Sequence, residues 1–255
     1  MRNNFTFFYK AKADFIQEAL DLFARMSVQP SFNQKTVINK TIVDLKAAGI
    51  WSLLDVLVLT HSHTEQSALL NWIKNESNPT LTNSPIFTAY SGILSATGKY
   101  INCNYIPSIN AINYQSTNCS FGVSTTTEIQ NNSNDLGRST TGTTISTINI
   151  RTAADLFAGR INNLISPSVS LAETNANSIG LSTCELSGTT MKIFRNGTER
   201  NTRSHTSAGV PSTNMLCGFN APRSYNKYFF GAAFTSLQQS QLDSILNYYI
   251  VNYQP

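Results

Sequence analysis

Thr189-Thr190-Met191-Lys192-Ile193-Phe194-Arg195-Asn196-Gly197-Thr198-Glu199-Arg200 is the stretch whose pattern decides the fold. Met191 and Ile193 alternate with polar side chains, and Asn196-Gly197 supplies the two positive-φ positions that a type I′ turn requires. A β-hairpin is therefore expected here. Lys192, Arg195, Glu199 and Arg200 suit an antiparallel sheet with one wet face, so a second layer has to cover Met191 and Ile193.

That second layer is available downstream of Pro79. The runs 85–90, 100–106, 120–126, 143–150, 154–161, 178–185, 215–219 and 227–235 are short, strand-like and separated by Asn, Ser, Gly or Pro turns. Short strands at such spacing indicate a sandwich or barrel. Residues 131–137 and 201–214 read as polar loops, and 236–253 as a terminal helix with Leu237, Leu242, Ile245, Leu246, Tyr249 and Ile250 on one face.

Upstream of residue 79 the period changes to that of helices. Asp14 with Gln17 and Ser31 with Gln34 are capping patterns, each followed by apolar residues at helical spacing, the second closing at Gly49. Residues 55–59 are dense in Leu and Val and predict a fully buried strand, after which Thr64 opens a third helix expected to run through Ile73. The chain thus divides into a helical region at 1–78, which lends one strand, and a sandwich with a terminal helix at 79–255. Phe5, Phe7, Phe8 and Tyr9 form an aromatic cluster too short to stand alone, and are expected to dock either on the chain's own core or on a partner in an assembly, as an attachment or oligomer contact.

Bulk properties narrow the function. At 255 residues the chain can bury one sizeable core. Charged residues are only 13%, whereas Ser, Thr and Asn make one third of the chain, which suits exposed strands and turns of an extracellular or particle-borne β protein. The net charge of +4 comes from scattered Lys and Arg with no basic run, which argues against nucleic-acid binding. Neither a membrane-spanning apolar run nor a secretory leader is expected. Cys103, Cys119, Cys184 and Cys217 lack CxxC spacing, so they read as buried small hydrophobes, with one disulfide as the alternative.

Chemistry-bearing constellations are sparse. The acids of the β part, Glu128, Asp135, Asp155, Glu173, Glu185, Glu199 and Asp243, are isolated from one another, with no paired carboxylates two or four residues apart of the kind glycoside hydrolysis uses. His61-x-His63-x-Glu65 resembles a metal string but lacks a third strong ligand, and a capped strand-to-helix turn explains it more simply. Asn131, Ser133 and Asp135 offer oxygens to calcium with only one carboxylate, too few for a cation. No cofactor or metal is expected. Arg223, Tyr225, Asn226 and Tyr228 combine aromatic faces with amide and guanidinium donors in a predicted loop, and are the candidate glycan-binding residues.

The series at 36–49, followed by Ile50-Trp51, Leu54-Asp55 and Asn71-Trp72, resembles bacteriophage structural proteins in which such a helix-to-strand junction precedes a concanavalin A-like or laminin G-like sandwich. Residues 95–100, the hairpin at 194–197 and residues 230–235 agree with it in order, so the resemblance covers roughly residues 30–255. It implies a mainly β, jelly-roll sandwich on the virion surface, made in the host cytoplasm, as a head fibre, decoration or tail component. The role implied is non-enzymatic, with other virion proteins as partners, a homo-oligomeric state and adhesion to a host-surface glycan. A glycoside hydrolase or secreted lectin of the same fold is the alternative.

Overall fold

The computed structural model describes residues 14–138, 144–164 and 170–255. In chain order its helices are α1 (Gln17–Ala24), α2 (Phe32–Ala47), α3 (Glu65–Ala68), α4 (Pro107–Asn110) and α5 (Ser236–Asn252). The strands are β1 (Leu54–Val58), β2 (Thr80–Thr82), β3 (Ile86–Thr88), β4 (Gly92–Leu94), β5 (Tyr100–Asn102), β6 (Asn118–Thr125), β7 (Leu136–Arg138) and β8 (Thr144–Asn149), then β9 (Leu156–Leu164), β10 (Leu171–Thr174), β11 (Gly180–Ser187), β12 (Thr190–Arg195), β13 (Thr198–Ser204), β14 (Leu216–Cys217) and β15 (Ser224–Gly231). They form two antiparallel sheets. One has the order β13-β12-β11-β6-β15-β4-β3, with β1 also paired to β15; the other runs β10-β9-β8-β7-β14-β5-β2. This is the expected jelly-roll sandwich.

The expected hairpin is present. Asn196 and Gly197 have φ of 49° and 73°, and Arg195 pairs with Thr198 across the turn. Gly197 answers a second constraint, because a Cβ there would lie 2.8 Å from the Ser240 Cα of α5. The hairpin is thus pinned under a helix, and its second face is not simply wet. Arg195 is buried rather than outward, donating to Ser182 Oγ at 3.1 Å and to the Asn177 carbonyl at 3.0 Å, while Lys192 and Glu199, both expected on the outward face, pair there at 2.8 Å.

Three layers result, and they explain why the β1 region reads as a run dense in Leu and Val. Val56 and Val58 point into the inter-sheet core with Phe121, Ile148, Met191, Ile193 and Phe230. Leu57 and Leu59 point the other way, into a second core with Ile38, Ile42 and Leu45 of α2 and Leu242, Leu246 and Tyr249 of α5. A strand buried on both faces has no polar alternation to display. Leu22 and Phe23 of α1 lie in that second core together with Phe229 of β15, so the helices of the 1–78 region share apolar packing with the sandwich.

Helix ends follow the sequence where a cap is local. Ser31 and Gln34 form a reciprocal capping box, and Ile50 N–H to Leu45 O and Gly49 N–H to Lys46 O close α2 as a Schellman motif. Other ends do not. Asp14 is exposed and caps nothing; α1 starts after Ile16, whose N–H is taken by Asn39 Oδ1 of α2 at 2.8 Å. Thr64 caps α3 as expected, yet the helix lasts one turn, because Asn71 is drawn to the sheet, accepting from Leu57 N–H while Trp72 N–H bonds Leu57 O. In α5, Leu237 is 68% exposed and lies off the buried face.

Cys103, Cys119, Cys184 and Cys217 are all buried and unpaired. Burial pushes all four thiols up, whereas in an unfolded chain they ionise near about 8.5. Their contribution to stability is complete below that pH and declines above it. Lys227 works in the opposite sense: burial pulls its ammonium down to about 8, so its desolvation penalty is relieved as pH rises further. Four thiols outweigh one amine, so stability should fall between pH 8 and 10. Urea midpoints measured at the two pH values check this; equal midpoints would contradict it.

Candidate functional site

The four residues expected to hold a glycan do not lie in a loop. Arg223 precedes β15, and Tyr225, Asn226 and Tyr228 belong to it; all four are buried. The register places Tyr225 opposite Ile93 and Thr125, inside the sheet. Arg223 Nη1 reaches both oxygens of Asp135 at 2.6 Å, Tyr225 donates its hydroxyl to Asp135 Oδ1 at 2.6 Å, and Ile150 N–H donates to Asp135 Oδ2 at 2.7 Å. Arg223 and Tyr225 form an internal strut with Asp135, and Asn226 and Tyr228 are buried in the same strand. Sequence reasoning took polar composition for exposure. The same strut explains the 131–137 segment, in which Asp135 is fully buried in place of a solvated turn.

The other constellations also have internal partners. His61 is buried with Nε2 on the Tyr253 carbonyl at 3.0 Å, and burial lowers its pKa. His63 Nε2 meets the Val28 carbonyl at 2.9 Å and Nδ1 the Tyr253 hydroxyl at 2.7 Å, while Glu65 is exposed on the first turn of α3. Among the described residues no three His, Cys, Asp or Glu side chains stand close enough to share a metal ion. Phe5, Phe7, Phe8 and Tyr9 lie outside the described residues.

Among the described residues, open depressions lie on the outer surfaces of both sheets. The first, of about 510 Å³, lies where β11 and β12 meet the start of α5. Its charged groups are already engaged: Glu185 accepts from Phe234 N–H at 2.9 Å and Gln239 Nε2 at 2.7 Å, and Lys192 pairs with Glu199. Burial raises the Glu185 carboxyl, an effect that these two donors oppose.

The second, of about 340 Å³, lies on the outer face of the other sheet. Thr147 and Asn149 of β8 face outward because Ile148 between them faces the core, and Arg160 and Ala158 of β9 are their cross-strand partners. Thr147 lies opposite Gly137 on the next strand, and Ala158 opposite Ala172. Gly137, Ala158 and Ala172 thus keep the floor low between larger neighbours. Asn132, Asn134 and Thr152 form the rim. Asn132 Oδ1 accepts from Ala153 N–H at 2.9 Å and Thr152 Oγ1 from Leu156 N–H at 3.1 Å, which fixes the rim loop.

What distinguishes this groove is unused hydrogen-bonding capacity. Asn149 is 7% exposed, and its Oδ1 has no partner among the described residues. Arg160 is half-buried and, among the described residues, its guanidinium makes no hydrogen bond or ion pair. A buried acceptor left unmade costs about 1–3 kcal/mol, which a ligand hydroxyl would recover. Sequence reasoning missed these residues. Their signal was the alternation of 147 and 149 with Ile148, but the pairing of β8 with β9 that juxtaposes them is not written in either strand alone.

No family model matches the chain, and no curated protein matches it. Among solved structures it is similar to the binding domain of botulinum neurotoxin serotype D, with a TM-score of 0.57 and 14% identity over 77% of this chain and 52% of that one. It is also similar to the botulinum neurotoxin type G receptor binding domain, at a TM-score of 0.53 and 9% identity over 76% and 51%. Trypanosoma rangeli sialidase matches at 0.51 with 9% identity, over 84% of this chain and 39% of the enzyme. The chain spans about half the length of the toxin domains it matches. At these identities the likeness is one of fold, the jelly-roll sandwich.

Proposed function

We propose that this protein is a non-enzymatic, lectin-like sandwich that adheres to a host-surface glycan as a component of a bacteriophage particle. The observation that carries the binding role is the groove over β8 and β9, in which the Asn149 oxygen and the Arg160 guanidinium have no partner among the described residues. Open polar grooves with a few convergent groups suit hydroxyl-rich ligands. The fold shared with toxin domains named for binding, one of them for receptor binding, supports the same reading.

The particle assignment rests on the resemblance carried by residues 36–72 and the ordered motifs after them. In it the sandwich is displayed on the virion surface, and Phe5, Phe7, Phe8 and Tyr9 contact neighbouring virion proteins or further copies of the chain. The enzymatic alternative draws on the likeness to a sialidase. Against it stands the lining of the groove, in which no described residue is a carboxylate, while Glu128 and Asp155 nearby are both paired with Arg151. Hydrolysis by paired acids needs two carboxyl groups about 5–9.5 Å apart across the bond.

Three measurements test this reading. The purified chain should bind a subset of glycans on a surface-glycan array, release no reducing ends from those glycans, and appear by mass spectrometry in purified phage particles. An empty array refutes adhesion, sugar release refutes the non-enzymatic role, and absence from particles refutes the virion assignment.

A further inference from the structure

We infer that the sugar held by the groove is acidic, with Arg160 receiving its carboxylate and Asn149 a hydroxyl. The inference rests on the glycan-binding reading above and specifies its ligand. Among the described residues that line the groove Arg160 alone is charged, and the other lining side chains are neutral. Arg151, which precedes Thr152 of the rim, is saturated by Glu128 and by Asp155, the latter at 2.7 Å. Those two carboxylates are thereby withdrawn from Arg160.

An unpaired guanidinium presents a planar fork of donors that matches a carboxylate bidentately, and a neutral sugar leaves most of that charge unanswered. Asn149 lies diagonally across from Arg160, since Thr147 is the direct partner of Arg160 and Ala158 that of Asn149. Such diagonal positions are about 7–8 Å apart, and Ala158 leaves the space between them open. A pyranose ring carrying a carboxylate at one end and hydroxyls at the other meets both groups at once. Acceptor and cation thus face different parts of one ring, which fixes its orientation.

The carboxylate could belong to a uronic acid or to a 2-keto-acid sugar, so both are used as probes on the full chain. Trigalacturonate is compared with its methyl ester, and 3′-sialyllactose with lactose, by titration calorimetry. The wild-type chain should bind at least one acid about ten-fold or more tightly than its neutral counterpart. Arg160→Gln should abolish that preference without lowering the melting temperature, because the Arg160 guanidinium has no partner among the described residues to lose. Asn149→Ala should weaken acid and neutral forms by the same factor. Added salt should weaken only the acid.

Equal affinity for acid and neutral forms, or a preference that survives Arg160→Gln, overturns the inference while leaving glycan adhesion standing. Binding of neutral array glycans with no binding of either acid overturns it in the same way. Failure of every sugar, acidic or neutral, overturns the adhesion reading itself.

Discussion

Replacing Asp135 with alanine should remove about 3–5 kcal/mol of stability, the largest loss expected from any single side chain here. Asp135 and Arg223 are both fully buried, and the carboxylate accepts from Arg223, from the Tyr225 hydroxyl and from Ile150 N–H. Arg223 in turn donates through Nη2 to the carbonyls of Ile129 and Arg151. With the carboxylate gone, a guanidinium would stay in the interior with its charge unmatched. The two carbonyls cannot neutralise it, and water cannot reach it without opening the sandwich.

The result expected in thermal unfolding is a drop of about 10 °C or more. The double variant Asp135→Ala with Arg223→Met should recover much of that loss, because removing both charges also removes their desolvation. A loss under about 1 kcal/mol in the single variant would show that the pair does not hold the segments around Ile129, Asp135 and Arg151 to β15.

Asp55→Ala should cost about 3–4 kcal/mol by a different route. Asp55 is a buried residue of β1 whose oxygens accept from the N–H groups of Ile112 at 3.1 Å, Asn113 at 2.9 Å and Tyr114 at 2.9 Å, and from the Tyr105 hydroxyl at 3.0 Å. Burial first, and the charge of Asp55 second, push that hydroxyl up, so it stays a donor. Asn113 adds bonds from its own amide to the carbonyls of Ser52 and Leu54. One carboxylate therefore clamps the 112–114 segment to the strand nearest the helices.

Alanine at 55 leaves three backbone donors facing a cavity. Hydrogen exchange at Ile112, Asn113 and Tyr114 should accelerate along with the loss in urea midpoint. Asp55→Asn, which keeps an acceptor oxygen but loses the charge, should fall between the two. Unchanged exchange at those amides would rule the clamp out.

Both residues show what limits reading function from this sequence. Asp55 sits in a Leu- and Val-rich run, where it marks a buried strand without disclosing its partners 57 to 59 positions away. Asp135 sits among Asn and Ser, where it passes for a loop residue. Arg223, Tyr225 and Asn226 carry donors that would suit a sugar, and the same donors suit an internal strut; only the position of β15 between β6, β4 and β1 decides which. Composition constrains what a side chain is able to do, not what it meets.

Local physics sufficed for the elements whose partners lie within a few residues. Asn196-Gly197 dictated its turn because two adjacent positive-φ positions leave few other conformations, and Ser31 with Gln34 dictated the start of α2 because the cap closes over three residues. The Asn-, Ser- and Thr-rich punctuation after residue 79 was enough to announce a sandwich. Tertiary structure alone decided that Arg195 turns inward, that the third helix stops after one turn, and that Thr147, Asn149 and Arg160 converge on one groove. Each of these depends on strand pairing between distant segments, and a register that shifts by one residue reverses which face a side chain occupies, so no local pattern encodes it.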